Sequence, residues 1–182
     1  MNNQMTISLS PDDLKTGITT DKALKLFDGL EPVTLESMIG RWVGAEIPTQ
    51  HPMDGLLEAS NWHGKHFIDA DHVHPLILSG RNGQTYSTIP LLFLMNLGLR
   101  VPLFKKPFMK PINGIVTRLV QTQKSHARIR MINFRGKTSA TMIYDRLPIH
   151  DHFRKFEDGT LMGLMDFKGQ DRFYFFMLKR EQ

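Results

Sequence analysis

From Ile115 onward the chain divides into six strand-like runs: Ile115–Gln123, His126–Phe134, Lys137–Tyr144, Leu147–Phe156, Thr160–Phe167 and Arg172–Lys179. In some of them apolar and polar residues alternate, as in a half-buried strand. Turn residues separate the later runs, at Arg135–Gly136, Asp145–Arg146, Glu157–Gly159 and Lys168–Asp171. Breaks this short fit antiparallel hairpins, because parallel neighbours need long crossovers. Six strands in succession make a meander. Closing it with strands from the first half of the chain removes the edges an open sheet would expose. The expected class is therefore mainly β, an antiparallel barrel with a few short N-terminal helices.

The first half carries the helices. Ser10, Pro11, Asp12 and Asp13 read as a helix start, with a capping hydroxyl, a first-position proline and acids at the positive dipole end. Thr20 and Asp21 open a second helix, in which Ala23, Leu24 and Phe27 share a face until Gly29. Leu35–Ile47 reads as a short helix or turn followed by a strand around Trp42, and Met53, Leu56 and Leu57 suit a short helix within 51–60. Phe67–Leu78 and Gln84–Ile89 look extended about a turn at Gly80–Gly83. The expected layout is a tail and short helix over 1–19 and one barrel domain over 20–182, with regions 20–80 and 112–180 as its parts.

Gly40-Arg-Trp42-Val-Gly44 follows a helix and opens a strand, as the Gly-x-Trp signature does in lipocalins and related calycins. Together with His51-Pro-Met-Asp-Gly-Leu-Leu57 and Trp62-x-Gly64-Lys65, it resembles the GXWXG family. Leu147-Pro-Ile-His-Asp-His-Phe-Arg154, Leu164-Met-Asp166 and the Phe/Tyr-rich last run resemble that family's C-terminal domain of unknown function. The likeness spans about residues 20 to 180. It implies a lipocalin-like barrel, with Gly40, Trp42 and Gly44 as its structural signature, and it implies no established activity. By the same likeness, the Trp42 indole closes one end of the barrel against a basic residue of the last strand, Lys179 or Arg180.

Composition narrows the chemistry. The 182 residues suffice for one domain that buries about 70% of its unfolded surface. With no cysteine, disulfides, thiolate catalysis and cysteine-bound metals are excluded. The net charge of +5 is dispersed apart from Lys105, Lys106 and Lys110, which argues against nucleic acid as a partner. The most apolar run, Ile89–Leu99, falls well short of the ~20 residues that span a bilayer. Cytoplasmic placement is the default expectation. Segment 90–111 joins leucines and phenylalanines to those lysines, so it either plugs the barrel or forms a portal flap that touches anionic membrane.

Several residues are candidates for chemistry. Alternation puts Asp151 on one face with Ile149 and Phe153, and His150 and His152 on the other with Arg154. On the next run Asp166 shares a face with Met162 and Leu164. If these apolar faces line the interior, two carboxylates project into a greasy cavity, where burial raises their pKa values and fits them to anchor a ligand or to act as acid and base. The alternative is a salt bridge to Arg128, Arg130 or Arg154. His51 and Asp54, three apart, form a second polar pair or a simple turn. Trp62, Met131, Met142, Phe153 and Phe175 are the expected apolar lining around Asp151 and Asp166, since aromatic rings and thioethers adapt to a guest. Five of the eight histidines lie between 51 and 74, a density that allows metal or haem ligation, but no His-Glu-x-x-His pattern occurs and no metal ligand is assigned. Binding or carriage of a small apolar, lipid-like molecule is the leading expectation. An isomerase, lyase or hydrolase using the Asp and His groups is the alternative, and an interaction module without a ligand is the third reading.

Overall fold

A computed structural model describes residues 14–80, 83–90 and 120–182. The helix start at 10–13, positions 91–111 of the apolar and basic segment, and positions 115–119 of the first expected run lie outside them. Thr19 caps α1 (Thr20–Gly29), its hydroxyl accepting the Lys22 N–H at 3.3 Å, and Asp21 occupies the first turn. There follow β1 (Glu31–Pro32), α2 (Leu35–Met38), β2 (Gly40–Ile47), α3 (Leu56–Ala59), β3 (Trp62–Phe67), β4 (Val73–Ser79) and β5 (Thr85–Ser87). The C-terminal half contributes β6 (Ala127–Phe134), β7 (Lys137–Tyr144), β8 (Ile149–Glu157), β9 (Thr160–Phe167) and β10 (Tyr174–Arg180).

Strands β8, β7, β6, β4, β3, β2, β10 and β9 pair in that order, and β9 pairs back onto β8. Eight antiparallel strands thereby close a barrel, as the alternation and short turns predict. β6 to β10 form the expected meander of consecutive hairpins. Of the first expected run, Val120–Thr122 bonds alongside Ser87–Ile89 rather than to β6. The thinnest seam is β4 to β6, where Val73 faces Ala127 and the His126 N–H reaches the Val73 carbonyl.

The strand pattern divides the core into two layers. Inside the ring lie Phe67, Ile129, Met142, Ile149, Phe153, Tyr174 and Phe176, with Trp42 at one end. Outside it, α1 lays Ala23 and Phe27 over Ile47, Met162, Leu164, Phe175 and Met177. Strands β8 to β10 are thus covered on both faces, which is why Leu161–Met165 and Tyr174–Leu178 read as unbroken apolar runs. α1 is tied down at its end, where the Arg135 guanidinium meets both Asp28 carboxylate oxygens at 2.7 Å. Among the described residues no helix is long and apolar enough to cross a membrane.

Candidate ligand-binding site

One end of the barrel is shut by the three residues that open β2. Gly40, Trp42 and Gly44 all point to the same side of the strand. The Trp42 indole donates to the Met38 carbonyl at 2.7 Å, and the Arg180 guanidinium lies 4.3 Å from its ring centre. Arg180 also donates to the Ile39 carbonyl at 2.8 Å, so the last strand clamps the plug from β10. Gly40 holds φ at +120°, and a Cβ there would sit 3.0 Å from Arg180 Nη1. At Gly44 a Cβ would fall 2.2 Å from the Trp62 ring. One glycine admits the clamp and the other admits the second indole.

Beyond Gly44 the interior opens into a cavity of about 60 Å³. Its wall is Trp62, Leu76, Tyr144, Met165, Tyr174 and Phe176, with Met53, Leu56 and Leu57 over the top. The charged side chains in the wall are Lys65 and Asp151, 3% and 1% exposed, with Nζ and Oδ2 2.9 Å apart. Lys65 also donates to the Pro75 carbonyl at 3.1 Å. The rings of Phe176, Trp62 and Tyr144 stand 5.1, 5.6 and 5.7 Å from its ammonium, an aromatic surround suited to a cation. Burial pushes the Asp151 carboxyl above the usual range, and the Lys65 charge pulls it back. Asp151 Oδ1 is buried without a hydrogen-bond partner, and the buried Tyr174 hydroxyl faces the Glu46 carboxylate. Burial first, and the charge of Asp151 after it, raise Tyr144 well above its ordinary pKa. Burial first, and the charge of Glu46 after it, do the same for Tyr174, so both phenols remain neutral.

The lid over the cavity is a loop fastened by side chains. Glu46, at the far end of β2 from the plug, accepts the Gly55 and Leu57 N–H groups at 2.7 Å. Asp54 Oδ2 accepts the Thr49 and His51 N–H groups at 3.0 and 2.9 Å. His51 Nδ1 accepts the Met53 N–H at 3.1 Å, which leaves Nε2 as the donor to the Arg172 carbonyl at 3.3 Å.

The comparisons with known proteins divide the chain in the same way. The family profile named GXWXG protein matches residues 25–83, and the one named Domain of unknown function (DUF4334) matches residues 125–180. A solved structure, titled as the crystal structure of protein from Thermomonospora curvata, is 33% identical and has a TM-score of 0.69. The match covers 91% of this chain and 90% of that one. The chain belongs to the GXWXG family. No curated protein matches it. In this GXWXG protein the first matched region supplies β1 to β4, and the C-terminal one supplies β6 to β10. Neither closes the ring alone. The buried ion pair joins them, Lys65 from the first and Asp151 from the second.

The residues singled out in the sequence are dispersed by the fold. Trp62 lines the cavity, its indole donating to the Gly64 carbonyl at 2.9 Å and meeting Phe176 edge-on. Asp151 faces inward with Ile149 and Phe153, and its partner is Lys65. Of the arginines considered for that role, Arg128 pairs with Asp145 and Arg130 with Asp71. Met142 and Phe153 are interior but belong to the solid core. Three expectations are corrected. Asp166 stands opposite His150 on the outer surface, because its neighbour Met165 takes the inward position. Phe175 lies in the outer layer beneath α1, since β10 is apolar on both faces. Met131 is 41% exposed on the projecting part of β6.

The histidines likewise serve separate places. His51 and Asp54 hold the lid, His150 is exposed, and His66 stacks on His74 at 6.1 Å. His63 meets Glu181 at 3.2 Å, and His72 meets Asp69 at 2.9 Å. Among the described residues no three metal-ligating side chains converge. His152 is 2% exposed in the outer layer, with its ring stacked 3.7 Å from Phe134. The Thr141 hydroxyl donates to the Ser139 carbonyl, so it accepts from His152 Nδ1 at 2.9 Å and leaves Nε2 a bare, buried lone pair. Burial, with the charges of His150 and Arg154, lowers the His152 pKa from 6.5 to about 3. The pair that sequence reasoning did not assemble is Lys65 with Asp151.

These contacts have measurable consequences. In Gly44→Ala the new methyl strikes the Trp62 ring. Stability in urea should fall by about 1–3 kcal/mol, and Trp62→Leu in the same chain should recover part of that loss. Strictly additive losses would show that the two positions do not touch. Because the fold favours neutral His152, its stabilising contribution is full above pH 6.5 and drains as the pH falls toward 3. Wild type should therefore lose up to about 1.4 kcal/mol per pH unit more than His152→Gln below pH 6. Parallel pH profiles would contradict the buried neutral ring.

Proposed function

We propose that the barrel binds a compact, mainly apolar small molecule that presents a hydrogen-bond donor to Asp151. The supporting observation is the unpartnered wall atom Asp151 Oδ1, in a cavity otherwise built mainly of aromatic and aliphatic side chains. A buried acceptor without a donor costs about 1–3 kcal/mol. A ligand hydroxyl or amine recovers that energy, while its apolar part meets Leu56, Met165 and Phe176. The void is about 60 Å³, against roughly 150 Å³ for a pocket that takes benzene. A branched four-carbon guest is about as large as benzene, so it too enters only as the 51–57 lid moves. The plug at Trp42 closes the other end, so the lid side is the entrance.

Isobutanol and isopentane have the same shape and differ by one hydroxyl, which isolates the polar term. Titrations followed through the Trp62 indole N–H resonance should show isobutanol binding about tenfold more tightly. Equal affinities, or no saturable shift with either, would overturn the reading.

A further inference from the structure

The Lys65–Asp151 pair is placed for more than holding a ligand, a role that rests on the cavity being a binding site. Nζ has three N–H groups. Two of them meet Asp151 Oδ2 and the Pro75 carbonyl, and the third lies among three aromatic faces in the cavity wall. The carboxylate is divided as well. Oδ2 holds the amine, while Oδ1 is buried and unpartnered beside the same space. A purely structural ion pair gains from having both carboxylate oxygens satisfied, because desolvation of the pair is recovered only through such bonds. Here one oxygen has no protein partner, on a residue that lines the cavity.

We propose that Lys65 captures a small aldehyde or ketone as a protonated imine, with Asp151 moving the protons. Lys65 passes one proton to Asp151 Oδ2 and attacks the carbonyl carbon with the freed lone pair. The N–C bond forms as the carbonyl π pair moves to oxygen. Asp151 returns its proton to that oxygen and takes one from the nitrogen, giving a neutral carbinolamine. It then protonates the hydroxyl, which leaves as water as the nitrogen lone pair closes the C=N bond. The sum converts a lysine ammonium and a carbonyl into an iminium and one water, with no oxidant or reductant. The carboxylate ends ionised and the cation at Nζ is preserved. The aromatic faces and Oδ2 that stabilise the ammonium therefore stabilise the product equally. Oδ1 is a second proton site on the same carboxylate, free of protein partners. An amine attacks only after its proton has left, and Asp151, with Oδ2 2.9 Å from Nζ, is the base placed to take that proton.

The test treats the folded protein with isobutyraldehyde and sodium cyanoborohydride, then maps modified lysines by peptide mass spectrometry over time. Lys65 should be alkylated at least about tenfold faster than the average of the other lysines, as expected for a positioned reactant. Saturating isobutanol should slow it, and Lys65→Arg should remove that one modification. Because the readout is which lysine carries the adduct, wild type alone decides if a variant fails to fold. Isobutanol binding without preferential labelling of Lys65 overturns this inference and leaves the binding reading intact. Labelling at Lys65 no faster than elsewhere, together with no isobutanol binding, overturns both.

Discussion

Taking an ammonium and a carboxylate out of water costs several kcal/mol for each ion, even after the surroundings relax. Lys65 and Asp151 bear that cost inside the barrel, and much of the neighbouring design answers to it. Three aromatic rings offer their faces to the ammonium, and the Pro75 carbonyl takes a second proton. Tyr144 and Tyr174 stay neutral in the same space, first because burial disfavours a phenolate and then because the neighbouring carboxylates repel one. The pair also spans the chain, with one charge from the GXWXG region and the other from the C-terminal region. Assembling the barrel and pairing the charges are one event.

The signature of the family has a steric explanation in this chain. Two glycines flank a tryptophan at two-residue spacing because all three positions face inward, where two large side chains have to approach the backbone. Arg180 comes over Gly40 to clamp the plug, and the Trp62 ring lies against Gly44 to begin the cavity. The same strand carries Glu46 near its other end, and this carboxylate gathers the lid's N–H groups. β2 thus closes one end, makes room in the middle and secures the cover at the other end.

Much of the fold is legible in the sequence because its strands obey period two and its turns are short. The meander from His126 onward, the Thr20–Gly29 helix and a basic last-strand partner for Trp42 are expected and present, with Arg180 rather than Lys179 in that place. So is the inward face of Ile149, Asp151 and Phe153. The candidate site is less legible, for identifiable reasons. β3 shifts register at Gly64, so Gly64 and Lys65 are buried in succession. Counting by twos from Trp62 puts Lys65 outside, where a lysine is ordinarily found. On β9 and β10 both faces are covered, so alternation carries no information and Asp166 and Phe175 are assigned to the wrong side. His51 and Asp54 are read as neighbours, and they are, but their hydrogen bonds run to backbone groups of the lid, Thr49 and Arg172. Pairing Asp151 with its cation required the three-dimensional register, because 86 positions separate the two.

The central claim is that the buried pair is kept for what it does to a ligand rather than for stability. A double-mutant cycle of Lys65→Met and Asp151→Leu, with urea denaturation and isobutanol titration on all four proteins, tests it most directly. Each single variant should lose about 3–5 kcal/mol by stranding one charge. The double variant should return to within about 1 kcal/mol of wild type, or exceed it, as apolar side chains replace the pair. It should no longer prefer isobutanol over isopentane. A double variant as unstable as the singles, or one that keeps the hydroxyl preference, would contradict the account.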